Sequence, residues 1–363
     1  MSSMWTNGIS ISVFGESHAD AIGVVIDNLP PGKEIDLAKV RAFLRRRQAK
    51  SDGTTTSRME PDLPQVLCGL HNGTTNGTPL CMIIQNTNTR SGDYKNLQTT
   101  VRPGHADYTG YLRYRGANDI RGGGHFSGRL TACLVMAGAV CGQILEQMGI
   151  YTVAHLQSVH HITCDHLDSM HLTKEKIEAI KELPFPVLDE GKRQEIMQFI
   201  NDARMAQNSV GGVVECTAIG MPAGIGSPMM DNIESIMASL MFAIPGVKGI
   251  EFGEGFDCTK LYGSENNDEF YIAEDGSVKT RTNRHGGILG GITSGMPIDF
   301  RVAFKPTPSI SLEQNTVDVA KHENAKLSIV GRHDPCIAVR AVPVVEACCN
   351  VALLSALVRD VKL

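Results

Sequence analysis

The segment from Leu130 to Met148 reads LTACLVMAGAVCGQILEQM, and as a helix it would be apolar around nearly its whole circumference. Such a helix is normally buried in a core, because a surface helix keeps one polar face. We therefore expect it to lie at the centre of the fold. Several small residues would let other backbones pack closely against it, namely Ala132, Cys133, Ala137, Gly138, Ala139 and Gly142.

Short apolar strands and further helices alternate on both sides of this central segment. No low-complexity linker or break in composition divides the chain. This order of elements predicts an α/β or α+β fold in a single domain, residues 1–363. Strands are expected at 9–14, 22–27, 65–70, 79–85 and 298–304, and helices at 36–47 and 339–361.

Composition limits the classes of function. The net charge of −5 and the pI of about 6.2 argue against a general basic surface for nucleic acid or anionic membranes. Ten cysteines without a CxxC pair indicate buried, reduced thiols. The first eight residues lack the features of a signal peptide, and no apolar run reaches the roughly 20 residues that span a bilayer. We expect a cytoplasmic protein with no membrane or nucleic-acid partner.

A histidine-rich segment at 155–171 superficially resembles a metal site, with His160, His161, Cys164 and His166 close together. Structural zinc sites need four ligands in a recognisable spacing. The spacing here does not provide one, and surface or strand histidines are the better interpretation. We expect no metal.

The residues that precede the central helix concentrate the polar chemistry of the chain. Residues 102–107 read RPGHAD, and 121–129 read RGGGHFSGR. Glycines let backbone N–H groups approach an anion closely, and a following helix N-terminus adds positive potential. The stretch therefore predicts a cradle for a phosphorylated ligand beside a titratable group.

Three other segments each allow two interpretations. The turn Gly15-Glu16-Ser17-His18 presents either a hydroxyl and a general acid or only a satisfied polar histidine. The arginine triplet Arg45–Arg47 either binds anions or complements the dipole at a helix end. Lys305, Thr307 and Ser309 either bind a phosphate or form a plain proline turn. Together these segments suggest acid–base chemistry on a polyanionic ligand.

Taken in order along the chain, these segments resemble the chorismate synthase family. The similarity lies in 15–18, in the block 102–129, and in 331–336 (GRHDPC), which continues through Arg340-Ala341-Val342-Pro343 to Glu346. Asn283, residues 286–291 and Lys305-Pro306-Thr307 match in the same order. A chance coincidence of so many segments is improbable.

The resemblance implies conversion of 5-enolpyruvylshikimate 3-phosphate to chorismate by 1,4-anti elimination of phosphate, a step toward aromatic amino acids. It implies reduced FMN as cofactor without net redox change, an external source of reduced flavin, and NADP among the nucleotides associated with the family. It further implies one α/β domain with a helical layer between two mostly antiparallel four-stranded sheets, assembled as a homotetramer.

Roles for individual residues also follow from the resemblance. His18 corresponds to the acid that protonates the departing phosphate, and His105 to the proton donor for reduced flavin. Asp334 corresponds to the carboxylate at the flavin that removes the substrate proton, with Ser17 and Ser127 as supporting hydroxyls. The implied substrate-binding residues are Arg46, Arg47, Arg129 and Arg332. The implied cofactor-binding residues are His125, Phe126, Ser127, Pro245, Gly246, Gly286, Lys305, Pro306, Thr307, Pro308, Ser309 and Arg332.

The chain departs from the family pattern at three places. Gln48-Ala49 stands where Pro-Gly usually follows the triplet, Gly53 replaces a basic residue, and His125-Phe126 replaces Arg-Ser. Two rival functions remain open. One is a flavin-dependent oxidoreductase acting on a phosphorylated carboxylate substrate, and the other is an inactive anion-binding protein. Intact His18, His105 and Asp334 favour an active enzyme.

Overall fold

The computed structural model describes residues 3–56, 58–88, 99–329, 331 and 333–361. Helices α1 to α8 are Leu37–Arg47, Asp107–Tyr114, Thr131–Glu146, Lys174–Lys181, Glu190–Met205, Ile233–Met241, Gly263–Asn266 and Ala338–Val361. Strands β1 to β9 are Met4–Thr6, Ser10–Gly15, Ala21–Asp27, Gln65–Cys68, Leu70–His71, Thr74–Thr75, Leu80–Gln85, Tyr151–Val159 and Ile162–Thr163. Strands β10 to β18 are Gly212–Ile219, Val247–Phe252, Phe270–Ile272, Val278–Thr280, Ile288–Leu289, Ile292–Thr293, Ile298–Phe304, Gln314–Asp318 and Glu323–Leu327.

Two antiparallel sheets carry most of the strand residues. The first has the order β1-β2-β3-β7-β4, and the second has the order β11-β16-β10-β8-β9. Among the described residues, each sheet has five strands where the resemblance implied four, because a short edge strand pairs onto each. These additions are β1, with three residues, and β9, with two. The mixed α/β composition with antiparallel sheets is confirmed.

Helix α3 forms the centre of the core, as its sequence predicts. All of its residues except Gly142 and Glu146 are buried. It contacts β2 and β3 of the first sheet, β8 of the second sheet, and α8. Helix α8 in turn contacts β8 and β10 of the second sheet. The two apolar helices therefore bury their surfaces against one another and against sheet faces.

These two helices also correct the expectation about long apolar runs. Both the segment Gly128–Glu146 and helix α8 are long and apolar enough to cross a membrane by length and composition. In the structure 94% of the most apolar 18-residue stretch of each is buried within the protein, as in core helices. Their apolar side chains pack in the interior of the protein.

A close crossing brings α3 and α8 together at Gly138. A side chain there would place its first carbon 2.3 Å from Ala347 Cα, so only a glycine fits. The carbonyl exposed by this close approach accepts a hydrogen bond from Asn350 Nδ2 at 3.1 Å. Asn350 Oδ1 accepts a second bond from Thr152 of β8 at 2.7 Å. The small residues of α3 were predicted to let another backbone pack closely, and Gly138 does so at its contact with α8.

Candidate active site

Loops that follow or precede the core elements line one large cavity. They are the segment after α1, the turns around α2, the glycine-rich segment before α3, and the loops beside β11, β16 and α8. The cavity has a volume of about 830 Å³, near the upper end for small-molecule sites. It therefore has room for more than one small ligand.

The walls of the cavity differ in polarity. An apolar wall includes Trp5, Phe126, Leu134, Phe242 and Ile337. The described polar wall holds six cationic side chains, Arg47, Arg58, Arg102, Arg129, Lys305 and Arg340, against three carboxylates, Glu60, Asp62 and Asp334. Asp107, buried behind Arg102, adds a fourth carboxylate. The remaining positive charge favours an anionic ligand.

A buried carboxylate joins two of the predicted substrate-binding arginines. Asp62 accepts a hydrogen bond from Arg47 Nη1 at 3.2 Å and another from Arg129 Nη1. Burial, together with Arg340 and Arg129, lowers the pKa of Arg47 to about 9, although Asp62 opposes the shift. Arg129 Nη2 is buried and has no hydrogen-bond partner among the described residues. This nitrogen is a donor available to a ligand.

The arginine triplet is divided by the helix that carries it. Arg47 faces the cavity, whereas Arg46 forms a bidentate pair with the buried Glu346 at 3.1 and 2.7 Å and does not line the cavity. Arg45 is exposed. Residues one position apart on a helix point in different directions, so only one of the three reaches this site. Arg332 lies outside the described residues.

Sequence reasoning missed the segment 58–62. Arg58 donates to Ser17 Oγ at 3.0 Å and to the Ser17 carbonyl oxygen at 3.2 Å, and pairs with Glu60 at 2.8 Å. Its pattern, Arg-Met-Glu-Pro-Asp, alternates charged residues, and in an extended chain such positions share one side. That alternation was the signal that could have identified the segment.

The turn after β2 brings Ser17 and His18 next to the glycine-rich segment. Ser17 is fully buried, and His18 is partly buried. A side chain at Gly122 would place its first carbon 2.6 Å from Ser17 Oγ and 3.0 Å from His18 Nε2. Gly122 also has a φ of 61°, which favours glycine. Two segments singled out separately in the sequence therefore meet.

His105 lies in the cavity wall with a carboxylate behind its ring. Its Nδ1 is 2.6 Å from Asp107 Oδ1, and Asp107 is in turn held by Arg102. Burial raises the pKa of Asp107, but the hydrogen bonds from Arg102 and His105 outweigh it and hold the pKa well below its usual range. Asp107 is therefore ionised.

Asp334 connects two segments of the polar wall. Its Oδ1 accepts a hydrogen bond from the Thr56 N–H at 2.9 Å, and its Oδ2 accepts one from Arg340 Nη1 at 2.9 Å. Thr54 and Thr55, which precede Thr56 in the same loop, are buried as well as Thr56. The contact anchors this loop beside the carboxylate.

Two of the residues that depart from the family pattern, His125 and Phe126, contact protein atoms. His125 Nδ1 lies 2.8 Å from the Gly15 carbonyl oxygen, and its Nε2 lies 2.5 Å from Ser3 Oγ. Phe126 packs edge-on against Tyr114, with the ring centroids 6.1 Å apart. Ser127 Oγ accepts from the Arg129 N–H at 3.2 Å. All three residues line the cavity.

Most of the other predicted cofactor-binding residues also line the cavity, namely Pro245, Gly246, Lys305, Thr307, Pro308 and Ser309. Lys305 Nζ donates to the Gly104 carbonyl oxygen, and Thr307 Oγ1 is buried with no partner among the described residues. Pro306 and Gly286 do not line the cavity. Gly286 packs against Gly253 instead, at the edge of the second sheet. In the described ranges, no group of three or more histidine, cysteine or acidic residues could hold a metal ion.

A family model described as chorismate synthase matches residues 9–358. The chain is 43% identical to a chorismate synthase of Dehalococcoides mccartyi over 337 residues, covering 93% of this chain and 91% of that protein. It is 44% identical to one from Thermococcus kodakarensis over 339 residues, covering 93% of each. A solved structure described as a crystal structure of chorismate synthase is similar with a TM-score of 0.75 and 26% identity, covering 96% of this chain and 91% of that one.

Proposed function

The chain belongs to the chorismate synthase family and is an enzyme of that type, and on this premise we propose how its cavity carries out the reaction. The substrate is 5-enolpyruvylshikimate 3-phosphate, and the products are chorismate and phosphate. The elimination is 1,4-anti and has no net redox change. The observation that carries the proposal is the buried, unpartnered Arg129 Nη2 in a cavity that also contains His105 and Asp334.

Fixed cations bind the substrate. It bears two carboxylates and a phosphate, and Arg129 and Arg47 present buried guanidinium groups held in place by Asp62. Each charge-assisted hydrogen bond contributes about 1.5–3 kcal/mol. Arg332 remains a predicted contact. Arg46, whose guanidinium is occupied by Glu346, acts through the position of α1 rather than by reaching the ligand.

Proton transfers are divided among three side chains. His18 protonates the phosphate as it leaves, and Ser17, held by Arg58, keeps the turn in place. Asp334 accepts the proton that the substrate loses, and Ser127 supports this transfer. His105 supplies a proton at the cofactor. A positioned general acid or base contributes about 10²–10⁴-fold to the rate.

Reduced FMN fits the residues present. The apolar wall with Trp5 and Phe126 suits a flat ring system, while Lys305 and the unpartnered Thr307 hydroxyl suit a phosphate. Held there, reduced FMN would supply transient electron donation to the substrate with no net change in its own redox state. Pro245, Gly246, Pro308 and Ser309 would complete this part of the wall. Gly286 and Pro306, which lie outside the cavity, would act indirectly.

Membership of the family also supports proposals about the layers of the fold, the assembly, the location and the source of reduced flavin. We propose one complete layer of helices between the two sheets, a cytoplasmic homotetramer, and an external source of reduced flavin linked to NADP. The competing function is a flavin-dependent oxidoreductase acting on a phosphorylated carboxylate. It differs in one measurable respect, because it would consume reduced flavin in proportion to product.

The deciding experiment is an anaerobic assay with photoreduced FMN and 5-enolpyruvylshikimate 3-phosphate. We expect many equivalents of phosphate to be released while the flavin spectrum stays reduced. Absence of phosphate release contradicts the proposal. Flavin oxidised one-for-one with product supports the oxidoreductase.

Replacing His105 with alanine should lower turnover at least about tenfold, because a positioned acid is lost. FMN should still bind, since the other predicted contacts remain. Turnover is measured in the anaerobic assay, and flavin binding by titration. Unchanged turnover would remove His105 from the mechanism.

Gly122→Ala should impair turnover at least about tenfold by displacing Ser17 and His18. Its methyl group would fall 2.6 Å from Ser17 Oγ, in addition to a backbone strain of about 1–2 kcal/mol. Gly149→Ala is the matched control, because Gly149 has a φ of 79° with no atom within 4 Å of the added carbon. Equal activity of the two variants would show that the contact at Gly122 is unimportant.

A further inference from the structure

The carboxylate behind His105 is bound more firmly than a surface group would be. Arg102 donates to Asp107 Oδ2 from its backbone N–H at 3.0 Å and from Nε at 2.7 Å. It donates to Oδ1 from Nη2 at 2.7 Å. Asp107 is 8% exposed, and its Oδ1 lies 2.6 Å from His105 Nδ1. Asp107 is therefore fixed in position relative to the imidazole ring.

This geometry determines which ring nitrogen carries the proton. Arg102 Nη2 also lies 3.1 Å from His105 Nδ1, but this contact is longer than the 2.6 Å between Nδ1 and Asp107 Oδ1. A guanidinium carries only donors, so it cannot accept a hydrogen from the ring. The ionised Asp107 can only accept. The hydrogen between Nδ1 and Oδ1 therefore belongs to His105, and Nε2 is the nitrogen left for chemistry. A side chain at Gly123 would place its first carbon 3.4 Å from Nε2, so this nitrogen faces the glycine-rich segment of the cavity wall.

We propose that Asp107 is a positioning residue for His105: it holds the imidazole in the tautomer with hydrogen on Nδ1 and directs Nε2 into the cavity. The inference rests on the proposed role of His105 as a proton donor. An imidazolium that gives up its Nε2 proton must keep the hydrogen on Nδ1, and Asp107 is the acceptor that retains it. Arg102 serves the same end indirectly by orienting Asp107.

Arg102 also ties this arrangement to the cofactor-binding part of the wall. Its Nη1 lies 3.3 Å from Ser309 Oγ, in the loop that follows β16. The same loop contains Lys305 and Thr307. The orientation of His105 is thereby coupled through Asp107 and Arg102 to the segment proposed to hold the flavin phosphate.

Asp107→Asn should reverse the tautomer. Oδ1 and Oδ2 each receive two donors, but both donors at Oδ2 belong to Arg102 and cannot become acceptors. His105, which faces Oδ1, can change its tautomer, so the amide oxygen will occupy the position of Oδ2. The amide nitrogen then faces His105 Nδ1 and donates to it, which places the ring hydrogen on Nε2. With a donor fixed against Nδ1, His105 can no longer be protonated on both nitrogens and loses its use as an acid.

The test combines a spectroscopic and a kinetic measurement. Ring-¹⁵N histidine is introduced into the full chain, and signals absent from the His105→Ala spectrum are assigned to His105. Without flavin, the wild-type protein should show the Nδ1–H form and Asp107→Asn the Nε2–H form. In the anaerobic assay, Asp107→Asn should lower kcat about 10–100-fold, as loss of an orienting partner does elsewhere, with KM nearly unchanged.

A double-mutant cycle separates positioning from a merely structural effect. Once His105 is alanine, adding Asp107→Asn should change kcat by less than about twofold. Asp318→Asn serves as the control, because Asp318 is 6% exposed, accepts backbone hydrogen bonds and lies away from the cavity. It should leave kcat unchanged.

Several results would overturn the inference. They are the Nε2–H form in the wild-type protein, an unchanged tautomer in Asp107→Asn, or equal losses of kcat with and without His105. Full turnover in His105→Ala would instead refute the proposed role of His105. The tautomer measurement would still decide whether Asp107 sets the ring hydrogen.

Discussion

Asp334→Asn should lower kcat by about 10²–10⁴-fold while leaving substrate and FMN binding largely intact. The variant keeps the size of the side chain but removes the carboxylate that is proposed to accept the substrate proton. In the wild-type protein the Thr56 N–H donates to Asp334 Oδ1 and Arg340 Nη1 donates to Oδ2, each at 2.9 Å. The single amide oxygen of the variant can still accept one of these two hydrogen bonds. Steady-state kinetics under anaerobic conditions measure kcat, and flavin titration measures binding.

The loss must be separated from loosening of the loop that Asp334 anchors. Asp52→Asn is the matched control. Asp52 accepts a hydrogen bond from the Thr54 N–H at 3.0 Å in the same loop and does not line the cavity. We expect Asp52→Asn to reduce kcat less than about threefold. If both variants lose activity equally, loop order rather than proton transfer explains the role of Asp334.

Asp62→Ala should lower the free energy of unfolding by about 3–5 kcal/mol. It removes one carboxylate that pairs with two buried arginines, and a buried charge that loses its partner keeps the full cost of desolvation. Arg47 is 2% exposed, and its pKa is already lowered to about 9, largely by burial. Denaturant unfolding with the variant and the wild-type protein in the same buffer measures the difference.

Two comparisons make this result specific. Asp189→Ala removes a carboxylate from an exposed helix N-cap and should cost only about 0.5–2 kcal/mol. Sodium formate should restore part of the stability of Asp62→Ala by replacing the missing carboxylate, whereas chloride at equal ionic strength should not. If the free energy of unfolding falls by less than about 1 kcal/mol and does not respond to formate, Asp62 does not compensate for the buried charges of the two arginines.

The main features of the fold could be predicted from hydrophobic pattern. The run 130–148 lacks a polar face, and in the structure α3 is buried against both sheets and α8. The number of strands could not be predicted. The edge strands β1 and β9 have three and two residues, too few to show a period, and they exist because neighbouring strands offer unpaired backbone groups.

Several of the predicted site residues lie together in the structure. Similarity of motifs identified His105, Asp334, Arg47 and Arg129, which the structure places in one cavity. Arg46 was also predicted to bind substrate, but its guanidinium pairs with the buried Glu346, 300 residues away in sequence. The segment 58–62 was missed because isolated charges in a loop are usually solvated.

By itself the sequence determined the buried helices, the family and the types of side chain that suit an anionic ligand. Those properties depend on local pattern and on the order of motifs, both of which can be read along one chain. Only the tertiary structure decided which arginine faces the cavity, that Asp62 joins Arg47 to Arg129, and how Asp107 and Arg102 orient His105. The central helix was found from pattern alone, but the glycine-rich segment before it acquires its meaning only when Ser17 and His18 pack against Gly122. Such contacts depend on direction and distance between side chains that packing, not sequence neighbourhood, brings together.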